Sequence, residues 1–128
     1  MLTKYQSILT TDTQRCAKAN CILLYYYCEA IQVHVQETGY YIIRSNSTRA
    51  MYGYIYENNF TLLDTSINAI ESGFANDCNG QFRISLHRQM NTSFILIVTT
   101  DRPKELGSFS IIIDGPSNVS MKRIGILI

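Results

Sequence analysis

The chain has 128 residues, of which 46% are hydrophobic and 16% charged, with a net charge of +1. That is one domain's length with enough apolar residues for a core, and its near-neutral balance gives no electrostatic case for nucleic acid or an acidic membrane surface. No apolar run reaches the roughly 20 residues needed to cross a bilayer as a helix, so no membrane span is expected.

Residues 1–13 carry a weak apolar alternation, Leu2, Ile8 and Leu9 around Lys4, which fits an edge strand or an arm. The opening MLTKYQSILT lacks the long apolar core of a signal peptide, as expected of a removed signal or of a piece of a longer chain. Cys16 and Cys21 flank Ala-Lys-Ala-Asn, and Ile22 to Cys28 (ILLYYYC) is a dense apolar run. From Glu29 to Asn58 the grammar is clearest. Ile31, Val33 and Val35 alternate with Gln32, His34 and Gln36, Gly39 opens Tyr40-Tyr41-Ile42-Ile43, and polar Arg44 to Arg49 connect to Met51-Tyr52-Gly53-Tyr54-Ile55-Tyr56. Period two with β-branched and aromatic residues between turn formers predicts three strands.

Thr61 to Gly80 lacks strand character, and Gly73, Asn79 and Gly80 predict a long loop. Gln81 to Met90 alternates, with Phe82, Ile84 and Leu86 on one face and Arg83, Ser85 and His87 on the other. Ser93 to Thr100 (SFILIVTT) is nearly continuous in apolar residues, as in a central strand covered on both faces. Ser108 to Asp114 is a further strand, closed by Gly115-Pro116, and Val119 to Ile128 ends with strand-like alternation and an apolar tail. About eight strands with closely spaced turns predict an all-β fold, an antiparallel β-sandwich of jelly-roll type with one long loop. The expected organisation is an arm and disulfide loop over 1–21 followed by the sandwich over 22–128.

Four cysteines, Cys16, Cys21, Cys28 and Cys78, suit a disulfide framework. Of the three pairings, Cys16–Cys21 as a local clasp with Cys28–Cys78 tying a strand to the loop is favoured; the long closure is worth about 3–4 kcal/mol by loop entropy. A zinc site is disfavoured because no close Cys-x-x-Cys pair exists. Four Asn-x-Ser/Thr sequons begin at Asn46, Asn59, Asn91 and Asn118, whereas nine Asn and 22 Ser plus Thr give roughly 1.5 by chance. Each falls at a strand end or turn, so covalent N-glycans, and with them secretion, are expected.

Chemistry is sparse. His34 and His87 fall on polar strand positions, and no Gly-x-Ser-x-Gly, His-Glu-x-x-His or phosphate loop is present, so neither enzymatic activity nor a cofactor is expected. The nine tyrosines are the strongest hint. They fit core and amphipathic packing first, and Tyr40, Tyr52, Tyr54 and Tyr56 form a candidate aromatic surface for sugar rings or a partner.

The phrases YYYCEAIQVHVQETGYYIIRSNS, YGYIYENNF, GQFRISL, FILIVTT and GSFSIIIDGPSNVSMKRI together resemble a module repeated in secreted, multidomain proteins of bdelloid rotifers. More remotely the chain is similar to the bacterial pre-peptidase C-terminal domain, a jelly-roll sandwich appended to secreted enzymes. The resemblance runs from about Tyr25 to Ile124 and implies an extracellular, non-catalytic accessory or adhesion module. Related modules carry an acidic, glycine-rich loop before the Gly-Gln-Phe strand. Here that loop is GFANDCNG, with Asp77 its one acid. Calcium needs several oxygen ligands, and even with Asp64 and Glu71 none is expected to bind. The expected function is a secreted structural module that associates with copies of itself, into a filament if a terminal strand adds to a neighbour's sheet. The alternative is a module that binds carbohydrate or protein within a larger secreted chain.

Overall fold

The computed structural model describes residues 1–13, 15–16, 26–57, 71–73, 80–100, 102 and 104–125. Among them the strands are Leu2–Leu9 (β1), Arg15–Cys16 (β2), Tyr26–Tyr27 (β3), Glu29–Val35 (β4), Gly39–Ser47 (β5), Met51–Tyr56 (β6), Glu71–Gly73 (β7), Arg83–Arg88 (β8), Thr92–Thr100 (β9), Gly107–Asp114 (β10) and Val119–Ile124 (β11), with no helix. β1-β10-β5-β8 form one antiparallel sheet, β11-β4-β9-β6-β7 a second, and β2-β3 a small ribbon.

Alternation decides what each strand buries. Leu9, Tyr41, Ile43, Ile84, Phe109, Ile111 and Ile113 of the first sheet meet Ile31, Val33, Val35, Met51, Ile55, Phe94, Leu96 and Val98 of the second in one core. Two sheets facing each other across a shared apolar layer make a β-sandwich. Ribbon and β7 aside, each successive strand belongs to the opposite sheet. That order does not by itself establish a jelly-roll winding. Where β6 crosses the core, a Cβ on Gly53 would lie 2.9 Å from the Phe82 ring, so only glycine lets that ring seat there.

The three strands expected between Glu29 and Asn58 are β4, β5 and β6. The polar segment from Arg44 is not a connection as far as Ser47: β5 continues through it, paired with β10 through Phe109↔Ser47. Its inward Ser45 is buried without penalty because its hydroxyl donates to Gln81 Oε1 at 2.8 Å and accepts from the Phe82 amide at 3.0 Å. Gln81 in turn donates to the Ser47 and Arg49 carbonyls. The segment over 1–13, left between edge strand and arm, is the edge strand: β1 pairs with β10 in unbroken register from Leu2↔Asp114 to Leu9↔Gly107. β9 is covered on both faces, as its sequence suggests, with Leu96 and Val98 in the central core and Ile97 in a second cluster outside it. Within the expected long loop, β7 pairs with β6; the rest of 61–79 lies outside the described residues.

Candidate functional site

The tyrosines separate by face. Tyr54 and Tyr56 are 2% and 0% exposed and Tyr52 is half-buried. Their rings run in file along β6, Tyr52 to Tyr54 at 4.8 Å and Tyr54 to Tyr56 at 6.3 Å between centroids. They join Cys16, Cys28, Ala30 and Ile97 in a cluster on the outer side of the second sheet, with Tyr26 packed against it. The ribbon therefore gives that sheet a second core, and the candidate aromatic surface loses Tyr54 and Tyr56 to it. Tyr40 is the one that stays open, 74% exposed, its ring edge-on to His87 at 4.9 Å.

The disulfide expectation is also corrected. Cys16 bonds to Cys28, with Cα atoms 6.0 Å apart and a sequence separation of 12. Neither Cys16–Cys21 nor Cys28–Cys78 can then form. The reason is local: β2 pairs with β3, Cys16 opposite Tyr26, which brings Cys16 beside the chain just before β4. Cys21 and Cys78 lie outside the described residues, as do Asp64, Asp77 and the apolar tail from Ile126.

Register assembles a second group that the linear sequence does not display. In the first sheet Lys4 pairs with Ile112, Ile112 with Arg44, and Arg44 with Arg83. Lys4, Arg44 and Arg83 are all exposed on the outer face. Directly opposed like charges destabilise a strand pair, yet among the described residues none of the three has an acidic partner. Tyr40 and His87 form another row of this face, and Gln6, Ser110 and Asn46 lie beyond the cations. Asp114 shares the face but is held by the Met1 ammonium at 3.4 Å. A polar hollow of about 510 Å³ lined by Gln6, Asn46, Thr48 and Ser108 borders the cationic row.

A third group sits where the two sheets' edges converge. Glu29 on β4 is 3% exposed; one carboxylate oxygen accepts from Tyr5 and the other from Ser7 at 2.6 Å, both on β1. Arg123 on β11 stands 3.9 Å away. Burial, then the hydrogen bond to Glu29 and its negative charge, push the Tyr5 phenol up to about 12. A cleft of about 610 Å³ opens beside it, lined by Ile8, Thr10, Asp12, Glu29 and Arg123. The carboxylate, though beside the cleft, is engaged by the two β1 hydroxyls.

The histidines stay on their strands' polar face. His34 Nδ1 lies 2.8 Å from Ser93 Oγ, its cross-strand neighbour. The hydroxyl and imidazole are adjacent as in a nucleophile–base pair, but no carboxylate orients His34 among the described residues, so the third member of such a set is missing there. Arg88, on the inward parity of β8, is buried against Glu57, with Nη2 donating to the Ser93 carbonyl at 3.1 Å and its guanidinium 5.3 Å from the Phe94 ring. Continuing the Phe82, Ile84, Leu86 alternation two residues further would have found it.

Asn46, Asn91 and Asn118 are exposed: Asn46 on the outer face of β5, Asn91 in the β8–β9 turn and Asn118 just before β11. Asn91 adopts φ of 58°, a left-handed conformation that asparagine tolerates. Asn59 lies outside the described residues. No family model matches the chain, and comparison with curated proteins finds no match.

Proposed function

We propose that the protein is a non-catalytic, extracellular, N-glycosylated structural module that associates with copies of itself by strand addition along β1, and that head-to-tail repetition of that contact builds a filament. One observation carries this reading: among the described residues β1 is a sheet edge eight residues long with little to blunt it. The Met1 ammonium donates to the Gly115 carbonyl at 2.8 Å while the Gly115 amide donates to the Met1 carbonyl at 3.1 Å. That doubly bonded pair fixes the alternation of the ladder. Thr3, Tyr5, Ser7 and Leu9 turn their backbone groups to β10, and Leu2, Lys4, Gln6 and Ile8 turn theirs away from the sheet. Proteins blunt such edges with proline, bulges or charge. β1 has an unbroken register, no proline and one charge, Lys4, while its Leu2 and Ile8 are 62% and 55% exposed.

Secretion and glycosylation rest on the excess of sequons, three of them exposed, and on the Cys16–Cys28 bond, since disulfides persist in oxidising compartments. Sedimentation velocity of the glycosylated protein over a range of concentrations tests the association. Gln6→Pro removes an outward amide and leaves the β1–β10 ladder its donors, a substitution that edge strands accept. Concentration-dependent growth that Gln6→Pro abolishes is the expected result. A monomer at every concentration would overturn the reading.

The open Tyr40 and the polar, cationic face around it favour a second reading, a binding module for carbohydrate or another extracellular partner.

A further inference from the structure

We infer that the outer face of the β1-β10-β5-β8 sheet is a binding site for an acidic polysaccharide, one carrying carboxylate or sulfate groups. The inference gives the second reading above a ligand class and rests on it. Its starting point is an anomaly of charge. The whole chain is balanced to +1, yet three of its cations fall in one cross-strand row, Lys4, Arg44 and Arg83, with only Ile112 interposed. Arg44 and Arg83 are direct partners, and among the described residues neither forms a salt bridge, the nearest acid by register, Asp114, being paired with the Met1 ammonium. With strands about 4.8 Å apart, the row spans on the order of 14 Å, too long for one small anion and suited to several anionic groups along a polymer. Guanidinium groups meet carboxylate and sulfate oxygens through paired N–H donors, so two adjacent arginines form the strongest part of the row.

Three further observations select a sugar polymer over other polyanions. Tyr40 lies four residues from Arg44 on the same face of β5, about 13 Å along the strand, and presents a 74% exposed ring steadied by His87. An open aromatic ring with a polar tip suits the flat apolar side of a pyranose. The hollow beyond the cations is lined by amides and hydroxyls (Gln6, Asn46, Thr48 and Ser108), which supply both donors and acceptors to sugar hydroxyls. Between these lie Ile42 and Ile112, half-buried aliphatic ground on which a chain can rest. The face is therefore aromatic at one end, cationic in the middle and amide-rich at the other. The Asn46 sequon stands in this last row, so an attached glycan would compete for the hollow.

The test is calorimetric titration of the intact chain, produced with and without N-glycans. The probes are a sulfated hexasaccharide, a hexamer of galacturonate, a neutral cello-hexamer and a single-stranded oligonucleotide of matched charge. Binding of at least one acidic hexasaccharide is expected, weakening with salt as screening grows. Arg44→Ala with Arg83→Ala should weaken it at least tenfold and Tyr40→Ala severalfold, with unchanged melting temperature showing an intact sandwich. Whether the sulfated or the galacturonate arm binds more tightly identifies the acidic group. Neutral and acidic hexamers binding alike, with no effect of the arginine substitutions, would overturn the acidic ligand and leave the carbohydrate reading standing. Binding of neither would overturn both. Preference for the oligonucleotide, or a change in oligomeric state in place of ligand affinity on substituting the arginines, would assign the face to a different partner and overturn the inference.

Discussion

Glu29 is the side chain on which the sheet edges converge, and it shows how a buried acid can be structural. A carboxylate at 3% exposure needs its oxygens satisfied, and the hydroxyls of Tyr5 and Ser7 do so from the facing strand. The Tyr5 phenol, raised from 10.0 to about 12, carries the signature of that arrangement in its neutral form. Its contribution to stability is present in full below the unfolded value, near 10.0, and is lost as pH rises through about 12. Denaturant unfolding between pH 8 and pH 12.5 checks this: the wild-type protein should lose stability more steeply in that window than Tyr5→Phe. Parallel curves would show that the phenol is not engaged.

Among the elements, the ribbon of β2 and β3 changes the reading of everything beneath it. Period two places Tyr52, Tyr54 and Tyr56 together on one face of β6, and the sequence shows that much. Whether the face is wet depends on a segment almost 30 residues earlier folding over it, held by Cys16–Cys28, and no local pattern encodes that cover. Local signals succeeded where one strand decides the outcome: Ile31-Val33-Val35 in β4, and the two-sided apolar run of β9. They failed where polarity has a tertiary cause, as at Ser45, buried within β5 because its hydroxyl donates to Gln81 and accepts from the Phe82 amide. The Lys4, Arg44 and Arg83 row was equally invisible, since its members are far apart in sequence and only register makes them neighbours. Replacing Cys16 and Cys28 together with alanine should cost about 3 kcal/mol by loop entropy and open the β6 tyrosines to solvent. A denaturant midpoint and tyrosine quenching by acrylamide read both effects; an unchanged midpoint with unchanged quenching would mean that the ribbon holds by packing alone.

At the scale of the whole molecule, the two sheets share one core and, among the described residues, β1 ends the first sheet. That core joins both sheets within one chain. Association must therefore use surface that the fold leaves over. β11, the edge strand of the second sheet beside β4, carries adjacent Lys122 and Arg123, a charged edge of the kind that discourages pairing. β1 carries Lys4 alone, between exposed Leu2 and Ile8. Of these two edges β1 is the better acceptor, and the contact propagates as a filament where a neighbour meets it with a different edge rather than with its own β1.

Residue-resolved amide hydrogen exchange along β1, on dilute and on concentrated protein, reads that contact directly. The amides of Thr3, Tyr5, Ser7 and Leu9 face β10 and should be protected at both concentrations. Those of Lys4, Gln6 and Ile8 face away; they should exchange freely when dilute and gain protection of tenfold or more when concentrated. Association that leaves these three amides unprotected, or no concentration dependence at all, would contradict assembly through this strand.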